Sequence, residues 1–112
     1  MTFEKLNISW RLKTLEQQRE AEVRRARLAE AGPVFERFGI RKVVLFGSVA
    51  GGRSAVGSDI DLLVLPLAGA QYWDFKRALE EALTYPVDLY TQDDDPIFVN
   101  KILTRGQVVY ES

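Results

Sequence analysis

Two carboxylates at the head of an apolar run constrain this chain more than any other feature. Asp59 and Asp61 stand one residue apart where the run IDLLVL, residues 60–65, begins. In a strand, alternate residues share a face, so these side chains would point the same way with Cα atoms about 6.8 Å apart. A buried carboxylate is costly unless it is paired, hydrogen-bonded or bound to a metal ion. DIDLLVL, residues 59–65, is therefore predicted to be a core strand with an acidic site at one end.

A third acid lies in another short apolar segment. Asp88 belongs to VDLY, residues 87–90, which follows Pro86 and is predicted to form a strand. If that strand lies beside the second one, the three carboxylates meet at one end of the sheet. Close like charges repel each other, and a divalent cation relieves the repulsion. Magnesium suits such a site because it takes oxygen ligands, commonly one or two carboxylates together with substrate phosphate.

A glycine-serine turn precedes the acids. Gly47 and Ser48 directly follow KVVLF, residues 42–46, which is predicted to be a buried strand. Free backbone N–H groups at such a turn, together with the serine hydroxyl, can bind phosphate oxygens, and glycine lets the phosphate come close to the backbone. A phosphate turn next to a carboxylate cluster indicates metal-assisted phosphoryl or nucleotidyl transfer.

The predicted elements follow one another as in a small α/β domain with a mixed sheet. The long first helix is expected to begin with Ser9 as its N-cap and to be interrupted at Gly32-Pro33. QVVY, near the C-terminus, is a candidate edge strand. The main predicted helices cover residues 9–31, 70–84 and 96–104. We divide the chain into an N-terminal helical extension, residues 1–31, and one domain, residues 32–112.

Composition excludes several kinds of chemistry. The chain of 112 residues has no cysteine, no histidine and a net charge of −1. Disulfides, histidine-bound zinc and imidazole general bases are therefore excluded, and acid–base work falls to carboxylates, lysine or tyrosine. The charge gives no basic footprint for nucleic acid, and no apolar run is long enough to cross a bilayer. The absence of cysteine fits a reducing cytoplasm, which is the predicted location.

The turn and the acids together resemble a known family. Gly47-Ser48, ten residues and then Asp59-Ile60-Asp61 is similar to the GS-x10-DxD signature of the DNA polymerase β-like nucleotidyltransferases. LFGS, SDIDLLV, VDLY and the ending ILTRGQVVYES resemble the minimal nucleotidyltransferases, or MNT proteins, from about Val34 onward. The resemblance implies the polymerase β-like nucleotidyltransferase fold, here with an additional long N-terminal helix.

The resemblance also implies roles for these residues. Asp59, Asp61 and Asp88 would be the catalytic acids and would bind two Mg²⁺ ions, with Asp88 able to take the proton of the nucleophile. Gly47 and Ser48 would hold the phosphates of ATP. AMP would then pass to a hydroxyl group, and pyrophosphate would leave.

The nucleotide grip departs from the family pattern at two positions. Val49 and Gly51 stand where family members often carry basic residues. Arg53 is the candidate substitute, and Ser58, next to the motif acids, is a further candidate nucleotide ligand.

A partner protein is also implied by the resemblance. Short MNT proteins are commonly antitoxins of HEPN ribonuclease toxins, and some AMPylate a tyrosine of the toxin, which is the leading function predicted here. One alternative is an antitoxin with an idle site that acts by occlusion, which Val49 and Gly51 favour and the intact acid triad opposes. Another is nucleotidylation of a small molecule of the aminoglycoside type.

The N-terminal helix carries a narrow, broken apolar stripe. The stripe consists of Leu12, Leu15, Val23, Ala26 and Leu28. Its charged flanks are Arg19, Arg24, Arg25 and Arg27. A narrow stripe with charged flanks suits a helix-to-helix seam better than a broad core face. We therefore expect this helix to pack on a partner helix, in a homodimer or on the toxin, away from the site.

Overall fold

A four-stranded mixed sheet forms the centre of the protein in a computed structural model that describes residues 3–55 and 57–112, with side chains from residue 11 onward. Its strands are β1 Lys42–Phe46, β2 Ile60–Leu65, β3 Val87–Tyr90 and β4 Gln107–Glu111. Their order across the sheet is β3-β2-β1-β4, with β2 and β3 parallel and the other neighbours antiparallel. The predicted mixed sheet is confirmed, and QVVY does form its edge strand.

Helices cover both faces of this sheet. In the described part of the chain they are α1 Phe3–Ala29, α2 Gly32–Arg37, α3 Gly47–Ala50, α4 Tyr72–Leu83 and α5 Pro96–Arg105. The carboxylate of Asp95 caps α5 by accepting a hydrogen bond of 2.8 Å from the Ile97 N–H, and proline occupies the first helical position. The predicted start of this helix is therefore confirmed.

Apolar side chains on both faces of β1 and β2 explain why their sequences do not alternate with polar residues. The larger cluster includes Val43, Leu45, Leu62, Phe35, Phe75 and Leu79, and it lies under α2 and α4. The smaller cluster comprises Val44, Leu63, Val99 and Ile102, and it lies under α5. Strands covered on both sides have nearly continuous apolar sequences. Because alternate residues share a face, Asp61 lies on the α5 side of the sheet with Leu63.

Two predicted boundaries are wrong. Helix α1 begins at Phe3, so Ser9 lies inside the helix and is not its cap. Strand β2 begins at Ile60, which leaves Asp59 just before the strand. The parallel register pairs Ile60 with Val87, so the position opposite Asp59 is Pro86, which has no N–H to donate to a ladder.

The C-terminal half of α1 packs against the rest of the protein. Ala21, Arg24 and Leu28, spaced by three and four residues, are buried on the inner side of the helix. Arg24 was expected to be a charged residue beside the apolar stripe and facing solvent, and this is wrong. Its guanidinium group donates hydrogen bonds to two carbonyl oxygens beneath the helix and lies over the ring of Tyr85. No helix in the described residues is both long enough and apolar enough to cross a membrane.

The predicted apolar stripe of α1 is divided between two environments. Leu12 and Leu15 are 62% and 60% exposed, and Val23 and Ala26 are exposed as well, whereas Leu28 belongs to the core. The stripe is split because Leu28 lies on the inner face of the helix with Ala21 and Arg24, whereas its other four members are exposed. Contact of the exposed leucines with a partner helix stays a prediction.

Candidate active site

Neighbouring strands bring two of the predicted metal ligands side by side. In the parallel ladder, Asp61 of β2 is the Cα partner of Asp88 in β3, and Phe46 at the end of β1 is the partner of Asp61 on its other side. Both acids are partly buried, and the charge and hydrogen bonding of the Asp88 carboxyl group both contribute to the pKa of Asp61. The sheet therefore places these two carboxyl groups together, while their role stays a prediction.

Asp59 occupies a different position. It precedes β2 and is exposed, although its charge still acts on Asp61. Across residues 3–55 and 57–112, no three acidic side chains are already arranged around a common point that could hold a metal ion. The cluster therefore consists of the pair Asp61 and Asp88 with a third carboxylate nearby.

The surroundings of Asp61 raise its pKa. Burial is the largest cause, followed by repulsion from the carboxylates of Asp88 and Asp59 and by the hydrogen bond with Asp88. Together they raise the pKa of Asp61 from 3.8 to about 6. The site thus concentrates negative charge that a bound cation would offset.

Gly47 approaches Asp61 more closely than a residue with a side chain could. Its φ of +76° lies in the left-handed region that favours glycine. A Cβ built on Gly47 would overlap Oδ2 of Asp61 and would lie 2.9 Å from its Cγ. The predicted phosphate turn and a predicted metal ligand are therefore in direct contact.

Ser48 and Arg53 both lie at this turn. Ser48 is exposed in the first turn of α3, and its carbonyl oxygen accepts a hydrogen bond of 2.8 Å from the backbone N–H of Arg53. A Cβ built on Gly51 would lie 3.9 Å from Nε of Arg53, so the arginine side chain passes close to one of the two positions that are often basic in the family. Val49, at the other position, is fully buried in the core and is directed away from solvent.

Ser58 is tied into the turn that leads to the acids. Its hydroxyl oxygen accepts a hydrogen bond of 3.0 Å from the N–H of Ala55, and its own N–H donates to the carbonyl oxygen of Ala55. Its carbonyl oxygen accepts from Nε of Arg24 at 3.4 Å. Within the described part of the chain no acceptor takes the hydroxyl proton of Ser58, and its role in nucleotide binding stays a prediction.

Three aromatic residues beside the acids were missed by the sequence reasoning. The hydroxyl of Tyr90 donates to Oδ2 of Asp88 at 3.1 Å. The rings of Phe46, Tyr90 and Phe98 contact one another edge to face, with centroid distances from 5.2 to 6.0 Å. Burial and the hydrogen bond to Asp88 raise the pKa of Tyr90, which keeps its hydroxyl protonated. The available signal was the spacing of two residues in VDLY, which places Tyr90 on the same face as Asp88.

A groove of about 390 Å³ opens beside the glycine turn. Gly47 and Gly51 line one wall, and Phe98, Lys101 and Arg105 of α5 line the other. The two cations are exposed, and neither forms an ion pair within the described residues. A glycine wall that faces two cations can accommodate phosphate groups. The signal in the sequence was the spacing of four residues between the cations, which places them on one face of a helix.

Comparison with known sequences decides the family. The profile of the family described as "Polymerase beta, Nucleotidyltransferase" matches residues 31–112. The chain belongs to this nucleotidyltransferase family. The matched region of the nucleotidyltransferase contains the glycine turn and all three acids, and it leaves out α1. Among curated protein sequences, none matches the chain significantly.

Solved structures resemble this nucleotidyltransferase over most of their length. A structure described as a minimal nucleotidyltransferase is 31% identical, with a TM-score of 0.65 over 77% of this chain and 92% of that one. A toxin–antitoxin crystal structure with AMP-PNP contains a chain that is 23% identical, with a TM-score of 0.61 over 71% and 69%. A tri-AMPylated Shewanella oneidensis HEPN toxin in complex with an MNT antitoxin contains one that is 19% identical, with a TM-score of 0.58 over 80% and 73%. The predicted polymerase β-like fold is confirmed.

Proposed function

We propose that this nucleotidyltransferase transfers AMP from ATP to a hydroxyl group of a partner protein in a magnesium-dependent reaction. The observation that supports the proposal most strongly is the contact between Gly47 and Asp61, which is the ladder partner of Asp88. The turn that we propose to bind phosphate therefore adjoins the carboxylate cluster, and metal-assisted nucleotidyl transfer needs both. Similar structures include one with AMP-PNP and one with an AMPylated toxin.

The residues at the site fit a divalent cation. Asp61, Asp88 and Asp59 supply only oxygen ligands, and their mutual repulsion contributes to the raised pKa of Asp61. Asp61 and Asp88 would hold the metal, two Mg²⁺ ions in this proposal, and Asp59 would turn toward them from its exposed position. Bound Mg²⁺ would neutralise charge on the triphosphate and on the leaving pyrophosphate.

The triphosphate would lie in the groove between α3 and α5. Its candidate ligands are Gly47, Ser48, Arg53, Ser58, Lys101 and Arg105. Lys101 and Arg105 supply positive charge on the wall opposite the turn. They would replace the basic residue that is often found at the position of Val49, which is apolar and buried here. Replacing both cations by alanine is expected to weaken AMP-PNP binding about tenfold or more, with little change in Tm because both side chains are exposed.

The chain's own groups would handle the proton of the acceptor. The acceptor hydroxyl oxygen forms a bond to the α-phosphorus, the bond from that phosphorus to the bridging oxygen breaks, and pyrophosphate leaves with the electron pair. Asp88 would accept the hydroxyl proton, and the hydrogen bond from Tyr90 at 3.1 Å would orient its carboxylate. The chain has no histidine, so a carboxylate is the suitable base.

A HEPN-domain toxin is the proposed partner, and a tyrosine hydroxyl of that toxin is the proposed acceptor. The proposal rests on the resemblance to toxin–antitoxin structures. AMP on such a tyrosine adds a negative charge and bulk to the toxin surface. The proposed location is the cytoplasm, where ATP is plentiful and where a chain without cysteine is at no disadvantage.

A labelling experiment tests the reaction. The chain is incubated with its HEPN toxin, Mg²⁺ and ATP labelled at the α-phosphate, and AMP on the toxin is detected by radioactivity and mass. We expect labelling by the wild type, none by Asp61→Asn or Asp88→Asn, and full labelling by Asp93→Asn, which changes an exposed acid outside the cluster. Replacing the labelled toxin tyrosine by phenylalanine should remove the label.

Neutralisation by occlusion is the second candidate, favoured by the lack of a basic residue at Val49 and Gly51. Occlusion is the correct explanation if the wild type binds and silences the toxin without nucleotide and leaves no label. Label on an aminoglycoside, with none on the toxin, would instead identify a small-molecule nucleotidyltransferase.

A further inference from the structure

Arg24 is a buried arginine that extends from α1 to the segment in front of β2. Only 1% of its surface is exposed. One guanidinium nitrogen donates to the carbonyl oxygen of Ala55 at 3.1 Å, and Nε donates to that of Ser58 at 3.4 Å. The remaining nitrogen pairs with the carboxylate of Glu20 at 2.7 Å, and the ring of Tyr85 lies 4.3 Å from the guanidinium carbon. All three nitrogens therefore have partners.

The ion pair with Glu20 does not explain why Arg24 is buried. The two residues are one helical turn apart and could pair equally well on the solvent side of α1. Burying a charge is costly unless it is both paired and hydrogen-bonded. The inward contacts are made to Ala55 and Ser58, which lie 31 and 34 residues later in the chain. Arg24 therefore ties α1 to the approach to the acids.

Other contacts of α1 act on the same part of the chain. The N–H of Ser54 donates to the carbonyl oxygen of Gln17 at 3.1 Å. The guanidinium group of Arg25 donates to the carbonyl oxygen of Ala50, the last residue of α3, at 2.9 Å. Helix α1 thus holds the end of the phosphate turn as well as the residues that lead to Asp59.

Asp59 needs such support more than the other two acids do, because those are fixed by the β2–β3 ladder. Asp59 precedes the ladder. On its C-terminal side, the N–H of Ile60 donates to the carbonyl oxygen of Pro86 at 2.9 Å. On its N-terminal side, Ser58 is held by Arg24. The direction of the Asp59 side chain therefore depends on both neighbours.

We propose that Arg24 is a positioning residue that holds Ser58 and, through it, orients Asp59 for metal binding. The inference rests on the proposed function, because it takes the acids to be metal ligands. It also assigns α1 a part in the site, although this helix lies outside the region that matches the family.

The first test compares Arg24→Met with Arg27→Met, which changes an exposed arginine on the same helix. Methionine keeps much of the apolar stem and removes every donor. The affinity for Mn²⁺ in the presence of AMP-PNP is measured by titration calorimetry, with Tm recorded for each variant. We expect Arg24→Met to weaken Mn²⁺ binding roughly tenfold, as loss of a supporting partner does at metal sites, and the control to stay within about twofold of the wild type.

Arg24→Lys provides a second variant that keeps the charge if the methionine variant does not fold. A single ammonium group cannot reproduce the planar fork that spans two carbonyl oxygens and a carboxylate. We expect Mn²⁺ binding to weaken several-fold and the amide hydrogen of Ser58 to exchange faster, with exchange in β1 unchanged.

A double-mutant cycle separates positioning from general stability. In an Asp59→Asn background, Arg24→Met should change Mn²⁺ affinity by less than about twofold, because the ligand through which it acts is already lost. Unchanged Mn²⁺ affinity in folded Arg24 variants, or an effect that is fully additive with Asp59→Asn, would overturn the inference. A wild type that binds no Mn²⁺ with AMP-PNP would instead overturn the proposed function, and the inference with it.

Discussion

Asparagine at position 61 keeps the size of the side chain and can still hydrogen-bond to Asp88, but it removes one of the clustered charges. In the metal-free protein this charge is destabilising, because burial and neighbouring carboxylates raise the pKa of Asp61 from 3.8 to about 6. An acid whose folded pKa exceeds its unfolded value lowers stability as the pH rises through that interval, since the folded state binds more protons there. We therefore expect Asp61→Asn to be more stable than the wild type at pH 7.

The size of the gain follows from the pKa. A pKa shift from 3.8 to about 6 would lower the free energy of unfolding by roughly 3 kcal/mol at pH 7 if the whole shift arose on folding. Asp61 is partly exposed, and solvent screening reduces this to about 1–2 kcal/mol. At pH 4 the folded wild type retains the proton, so the gain should fall to a few tenths of a kcal/mol, about the size of experimental error.

Urea unfolding in EDTA, followed by tryptophan fluorescence between pH 4 and 7, measures the difference directly. Asp93→Asn, in the turn before α5, is the control and should change the free energy of unfolding by less than about 0.5 kcal/mol. Mg²⁺ with AMP-PNP should then stabilise the wild type and not Asp61→Asn. A variant that is no more stable than the wild type at pH 7, or whose gain does not depend on pH, would refute the electrostatic explanation.

Three further perturbations test other parts of the site. Gly47→Ala should lower the rate of AMP transfer tenfold or more and lower the free energy of unfolding by about 1–3 kcal/mol. Gly47 has a φ of +76°, and the new methyl group would overlap Asp61. Normal transfer rates and an unchanged Tm would contradict this. Tyr90→Phe should slow transfer several-fold with a stability change of about 1 kcal/mol, because Asp88 loses a donor; an unchanged rate would exclude an orienting role. Deleting residues 1–13 should preserve Tm and AMP-PNP affinity but weaken association in sedimentation experiments, and a truncated chain that does not fold would show that this part belongs to the core.

Local pattern was sufficient to predict the sheet and most of the acid cluster. Two apolar runs of strand length, each carrying an acid, fixed Asp61 and Asp88 on neighbouring strands once the strands were placed side by side. The glycine turn was visible because a buried strand ended at Gly47. Asp59 was harder to place, because the alternation that puts it in line with Asp61 applies only inside a strand, and the strand begins one residue later.

The role of α1 could not be read from the same kind of pattern. An arginine among other arginines on a helix is normally solvated, and only the docked position of α1 shows that Arg24 meets two carbonyl oxygens beneath it. Leu28 and Ala31 join the main core cluster, so the boundary placed after residue 31 stays a prediction, and a truncation that ends before Gln17 is the more selective test. The cations of α5 were missed because their relation to the turn depends on how two distant elements pack.

Because Asp61 and Asp88 are ladder partners, some segments of this site can vary in sequence and length while others cannot. Backbone hydrogen bonds between two strands set the distance between those carboxylates. The connections around them can therefore change without altering it, as long as the β2–β3 crossover can still join parallel strands. A single residue inserted within β2 would turn Asp61 to the opposite face of the sheet. The segment from Gly51 to Ser58 lies outside the ladder, and changes there would move Asp59 and the candidate nucleotide ligands of that segment without altering the distance between Asp61 and Asp88. An engineer who wished to retune this nucleotidyltransferase would therefore vary that segment together with α1 and leave β2 and β3 intact.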